Sequence, residues 1–143
     1  MTRIDSFFAR YAESHRHPTN RAIHWVCVPL IMWSLLAAMW AASPLAAYAV
    51  IAAATAFYLW LSVPLALGML VVSVAMLLPL PLFASPRALL VTAAVVFVLA
   101  WIGQFVGHHI EGRRPAFAED VTYLLVGPAR LLALVYERLH WRY

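Results

Sequence analysis

The chain has 143 residues, 65% of them hydrophobic and only 11% charged, with a mean hydropathy of +0.83. A soluble domain is about half apolar and about a quarter charged. Here the 65 residues between Arg21 and Arg87 carry no Asp, Glu, Lys or Arg, and neither do the 23 between Arg87 and Glu111. No water-facing surface can be built from those stretches, which excludes an ordinary soluble fold and predicts an integral membrane protein.

The single cysteine, Cys27, excludes an intramolecular disulfide. The pI near 9.7 would suit nucleic-acid binding, but the ten basic residues are all arginines gathered toward the two ends. That distribution fits membrane orientation, and no nucleic-acid partner is expected. The first apolar run begins only after Arg21 and contains proline and tryptophan, unlike a cleavable signal.

In chain order, residues 3–16 alternate aromatic and charged positions at helical spacing, setting Phe7, Phe8 and Tyr11 against Arg3, Arg10 and Glu13. Asp5 or Ser6 is placed to cap that helix. A transmembrane helix needs about 20 apolar residues, so the uncharged blocks hold four spans, near 23–42, 45–62, 65–83 and 88–108. Ser43-Pro44, Ser62-Val63-Pro64 and the prolines at 79, 81 and 86 mark the turns. The third span is the weakest: the short interval between Pro64 and Pro79 predicts a short or broken helix, or a re-entrant hairpin with the second. Residues 119–142 form a second amphipathic segment, with Leu124, Leu125, Leu131, Leu132, Leu134, Val135 and Leu139 beside Arg130, Glu137, Arg138 and Arg142, interrupted at Gly127-Pro128. The expected fold is an all-α, polytopic membrane bundle of four transmembrane helices with amphipathic interfacial helices at both termini. It forms a single domain, 1–143, divided into an N-terminal helix and motif (1–22), the spans (23–110) and a C-terminal segment (111–143). Nine of the ten arginines lie outside the span block. With an even number of spans, the positive-inside rule puts both termini in the cytoplasm.

Polar residues collect at the two edges of the span block. One cluster runs from Tyr11 through His15, His17 and Asn20 to His24; the other runs from Gln104 through His108, His109 and Glu111 to Arg113 and Arg114. Tyr11 precedes His15 by four, Asn20 precedes His24 by four, and Gln104 precedes His108 by four. On a helix such pairs share a face, so each polar side chain is placed to orient one imidazole, as partners of metal ligands do. Polar groups at membrane depth are costly and call for a purpose. A site at the cytoplasmic end, lined by His15, His24 and His108 with His109 or Glu111 as a further ligand, satisfies them mutually. Imidazole and carboxylate donors suit iron, zinc or copper, and the lack of clustered thiols argues against a soft-metal site. The plainer readings are that His17, His109 and His140 are interfacial anchors, that the tryptophans are belt or packing residues, and that Gly103 and Gly107 permit close helix contact. On those readings Cys27 is inert, and Arg113 and Arg114 are topology anchors that can also receive an anionic head group.

Two motifs, Tyr11-xxx-His15-xxxx-Asn20-xxx-His24-xxxx-Pro29 and Gln104-xx-Gly107-His108-xx-Glu111-xxx-Pro115-Ala116, resemble those of the Mpo1-like family, over nearly the whole chain. Cys27 is a departure, standing where many relatives carry glycine; it touches packing more than chemistry. The resemblance implies an Fe(II)-dependent dioxygenase that shortens long-chain 2-hydroxy fatty acids by one carbon, with dioxygen as co-substrate; the histidine donors themselves accept zinc as a substitute metal. It implies His15, His24 and His108 as metal ligands, and Glu111 as a fourth ligand or a base. Arg113 or Arg114 would offset the substrate carboxylate, and the acyl chain would lie in an apolar groove continuous with membrane lipid. The compact loops suggest a bacterial inner membrane, whereas eukaryotic members are associated with the endoplasmic reticulum. Other classes are a non-catalytic metal- or haem-binding membrane protein and a small lipid transporter. A di-iron hydroxylase is disfavoured, because six histidines with no His-xxx-His pair are too few.

Overall fold

A computed structural model describes residues 3–143. Its helices are α1 (Arg3–Glu13), α2 (Pro18–Ala42), α3 (Pro44–Leu61), α4 (Val63–Leu77), α5 (Pro86–Glu111) and α6 (Tyr123–Arg138), with 3₁₀ turns at Leu80–Leu82 and Ala116–Ala118. Four stretches are long and apolar enough to cross a membrane: α2, α3, Val63–Leu82 and α5. Their outward faces carry Val26, Leu45, Leu67, Val71, Leu78, Val95 and Leu99, all more than 40% exposed. An apolar surface of that extent is consistent with a membrane protein whose helices face lipid.

The breaks between helices follow from single residues. Ser43 and Ser62 are extended, and each is followed by a proline within the first turn of the next helix. Proline tolerates that first turn because its missing N–H would have no partner there anyway. The third span is indeed broken: α4 stops after 15 residues, and Pro79 and Pro81 tighten the chain into a 3₁₀ turn. At the N-terminal helix, Asp5 and Ser6 lie within the first turn of α1, and the Ser6 hydroxyl donates to the Arg3 carbonyl, so neither is the cap. Nor does Gly127-Pro128 interrupt the C-terminal segment, because α6 runs through it. The Tyr58 hydroxyl donates to the Leu125 carbonyl (2.9 Å) beside the point where proline removes a backbone donor.

The amphipathic end helices bury their apolar faces on protein. Ile4, Phe8 and Tyr11 of α1 pack with Tyr123, Val126 and Ala129 of α6, and with Tyr58, Leu65 and Met69 of the α3–α4 hairpin. A second core, at the opposite end, joins Leu36, Ile51, Leu77 and Leu89. The start of α2 and the end of α5 are adjacent, since Glu111 accepts hydrogen bonds from the backbone of Arg16 and His17. Both polar clusters therefore occupy one end of the bundle.

The closest helix pair is α2 with α5, and glycine permits it. A Cβ built at Gly103 would stand 2.6 Å from the Cys27 sulfur, and one at Gly107 would collide with the Asn20 side-chain oxygen. Cys27 thus serves as packing, and the two glycines allow the close approach expected of them. We expect Gly107→Ala to destabilise the protein by about 1–3 kcal/mol through overpacking. A thermal melt in detergent checks this against Gly127→Ala, whose Cβ would sit at an ordinary 3.7 Å from Tyr11 and should leave the melting temperature unchanged.

Candidate metal centre

His15 lies on the link after α1, His24 on the second turn of α2, and His108 on the last turn of α5. All three are at least 92% buried, their ring centroids are 4.4–4.9 Å apart, and the rings meet edge to face at 82–89°. One nitrogen from each lies within 4.8 Å of the others, and they form the one such group of metal-ligating side chains among the described residues.

Hydrogen bonding fixes the tautomers of two rings. His15 Nδ1–H donates to the Tyr11 carbonyl (2.7 Å) and His24 Nδ1–H to the Asn20 carbonyl (2.8 Å). Each Nε2 is then left with a lone pair, and these two nitrogens are 3.0 Å apart. Two buried lone pairs at that distance repel unless a proton or a cation lies between them. His108 Nδ1 is buried with no hydrogen-bond partner, a further orphan in the same group. Burial, reinforced by the neighbouring rings, lowers the His15 pKa to about 3, so this imidazole is neutral at physiological pH and free to ligate. The three histidines therefore fit a divalent metal with a preference for nitrogen donors.

The expected orienting partners act differently from the sequence reading. Tyr11 and Asn20 hold the rings through backbone carbonyls, a service any residue type can give. The Tyr11 ring itself stacks on His15 at 3.7 Å and 8°. The Asn20 side chain donates to the Ser14 carbonyl and to Glu111. Gln104 makes no hydrogen bond to His108, whose Nδ1 has none.

Glu111 and His109 are not brought into the trio. The Glu111 carboxylate is occupied by the Arg16 N–H (2.9 Å), the His17 N–H (2.8 Å) and the Asn20 amide (3.1 Å). It ties the start of α2, where backbone donors lack helical partners, to the end of α5. His109 is exposed, on a different side of α5 from His108. Gly112, with φ at +70°, ends α5, its N–H donating to the carbonyls of His108 and His109. Arg113 and Arg114 line a separate polar pocket of about 290 Å³ with Arg10, Glu13 and Glu119, not the space beside the trio.

That space is a cavity of about 580 Å³, within the usual range of small-molecule sites. His15, His24 and His108 line it at one end, and its walls come from α2, α3 and α5, with residues 121–128 also contributing. Along α2 it is lined from His24 to Leu36, about 18 Å at 1.5 Å per residue. One leaflet of a membrane is about half of the ~30 Å hydrocarbon core, so this depth matches one lipid acyl chain. Leu35 and Val50, 47% and 42% exposed, line it too and give it a side toward lipid. The aromatic lining includes Trp101, which the sequence reading treats as a belt or packing residue, and Phe97 and Phe117, which that reading does not name. Phe97, Trp101, Gln104 and His108 recur at helical spacing on one α5 face, which was the available signal.

The family model described as "2-hydroxy-palmitic acid dioxygenase Mpo1-like" matches residues 1–139. No curated protein and no solved structure matches the chain.

Proposed function

The chain belongs to the Mpo1-like family, and on that premise we propose that it is an Fe(II)-dependent dioxygenase converting a long-chain 2-hydroxy fatty acid to the acid one carbon shorter. The observation that carries this reading is the buried three-histidine group at the head of an apolar cavity as deep as an acyl chain is long. The reaction balances without an external reductant. The C1–C2 bond of the substrate breaks, C1 leaves as carbon dioxide, C2 becomes the new carboxyl carbon, and dioxygen takes up four electrons to supply the added oxygen and a molecule of water.

Iron(II) held by His15, His24 and His108 would supply the redox chemistry that dioxygen requires. The protein's own part is positioning. The Tyr11 and Asn20 carbonyls keep both Nδ1 atoms protonated and so direct the Nε2 lone pairs to one point. The apolar walls take the acyl chain, each buried methylene contributing about 0.8 kcal/mol, and exclude water from the reacting end. The end of the bundle bearing this site also bears nine of the ten arginines, with Arg87 at the other end of α5. That asymmetry supports a cytoplasmic site in an inner membrane.

Metal-free protein loaded anaerobically with Fe(II), then given 2-hydroxyhexadecanoate and oxygen, is expected to yield pentadecanoate and carbon dioxide. Unchanged substrate in the presence of bound iron overturns the proposal.

A further inference from the structure

A glutamine buried beside an apolar chamber must find partners for its amide, because unmet donors and acceptors retain their full desolvation cost. Gln104 is 5% exposed and lines the cavity. Among the described residues its side chain makes no hydrogen bond. On the neighbouring turn of α5, Trp101 also lines the cavity, and its buried indole N–H has no partner. The other buried amide near the trio, Asn20, also has an unpartnered side-chain oxygen, but it does not line the cavity, and its NH₂ donates to the Ser14 carbonyl and to Glu111. Gln104 and Trp101 are three residues apart, which puts their Cβ atoms about 5–6 Å from each other on one helix face. Gln104 is also one turn from His108, at the end of the cavity where the chemistry is placed.

We propose that Gln104, with the Trp101 N–H behind it, recognises the polar head of the substrate and selects for its 2-hydroxyl group. The assignment rests on the reading of this site as one for 2-hydroxy fatty acids, and names what distinguishes them from plain fatty acids. A glutamine amide offers one carbonyl acceptor and two N–H donors. The substrate hydroxyl donates to the carbonyl, and the amide and indole N–H groups donate to carboxylate oxygens. An unsubstituted fatty acid leaves the Gln104 carbonyl buried and unmet. A site built to hydrogen-bond a hydroxyl rejects the analogue that lacks it for this reason. The acyl tail contributes equally for both acids, because Val28, Ile31, Met32 and Leu36 offer it only apolar contact.

The test measures binding to metal-free protein in detergent, which separates head-group recognition from metal and turnover. The wild-type chain is expected to bind 2-hydroxyhexadecanoate about tenfold more tightly than hexadecanoate, the worth of one net hydrogen bond. Gln104→Met, similar in volume and unable to accept from the hydroxyl, should bring that ratio near unity. Trp101→Phe should weaken both acids alike. Uptake of the wild-type equivalent of metal by each variant reports that the histidine group is intact. With the unaltered protein, 2-methoxyhexadecanoate, whose ether oxygen cannot donate, should bind no better than hexadecanoate. Equal binding of the methoxy and hydroxy acids, or a full preference retained in Gln104→Met, overturns the assignment even where turnover is normal. Conversely, selective binding that depends on Gln104, with no product from the iron-loaded enzyme, sinks the dioxygenase reading and leaves this recognition site standing.

Discussion

Alanine at His24 or at His108 is expected to lower metal affinity by more than about a hundredfold and to abolish product formation. Loss of a group that merely orients a metal ligand costs about 10–100-fold in affinity, so loss of a ligand itself should exceed that. The two positions fail for the same reason, although 83 residues lie between them in sequence. Each supplies one of three nitrogens lying within 4.8 Å of one another, and two imidazoles alone hold a divalent ion poorly at this depth. His140→Ala is the control, since that residue is exposed, beyond the end of α6, and absent from the group. Elemental analysis of the purified variants, alongside product assay, measures both quantities. A wild-type metal content in His108→Ala would remove the basis for treating the trio as a metal centre.

The spacing of Tyr11, Asn20 and Gln104 before three histidines pointed to the imidazoles that the fold brings together, for a reason that only partly holds. A residue four positions earlier does orient His15 and His24, but by its carbonyl, which every residue has. Sequence spacing could locate the contact without revealing which atom makes it. The spans were legible because apolar runs and prolines act locally. The reach of α2 back to Pro18 lies in polar sequence that an apolar-run reading passes over, although Pro18 in the first turn and the His17 ring accepting from Thr19 N–H mark the start locally. The destination of the end helices was not legible. Amphipathicity shows that one face is apolar, not whether lipid or another helix will cover it, and here Phe8 and Tyr11 of α1 meet Val126 and Ala129 of α6. Ligand identity in a carboxylate-containing motif is equally a matter of long-range geometry, as the placement of Glu111 illustrates.

Glu111→Gln is expected to reduce metal affinity by about 10–100-fold and to lower the melting temperature, while leaving kcat near the wild-type value once iron is saturating. In the native protein both carboxylate oxygens accept, one from Arg16 N–H and the other from His17 N–H and the Asn20 amide. Glutamine turns one of those acceptors into an NH₂ group, which must then face a backbone N–H, and it also removes the negative charge from the start of α2. The strap between α2 and α5 loosens there, and with it the register of His15 and His24 against His108. A residue acting as a base on the substrate would behave in the opposite way, losing turnover at saturating iron with affinity intact. Measuring iron affinity and kcat on the same variant therefore separates the two roles. Asn20→Ala sharpens the separation, because it removes one donor to Glu111 while the carbonyl that orients His24 stays in place. If Glu111 works as a strap, the asparagine variant should reproduce the affinity loss more weakly. If Glu111 is a base, Asn20→Ala should instead lower turnover at saturating iron, because it removes a hydrogen bond that holds the carboxylate in place.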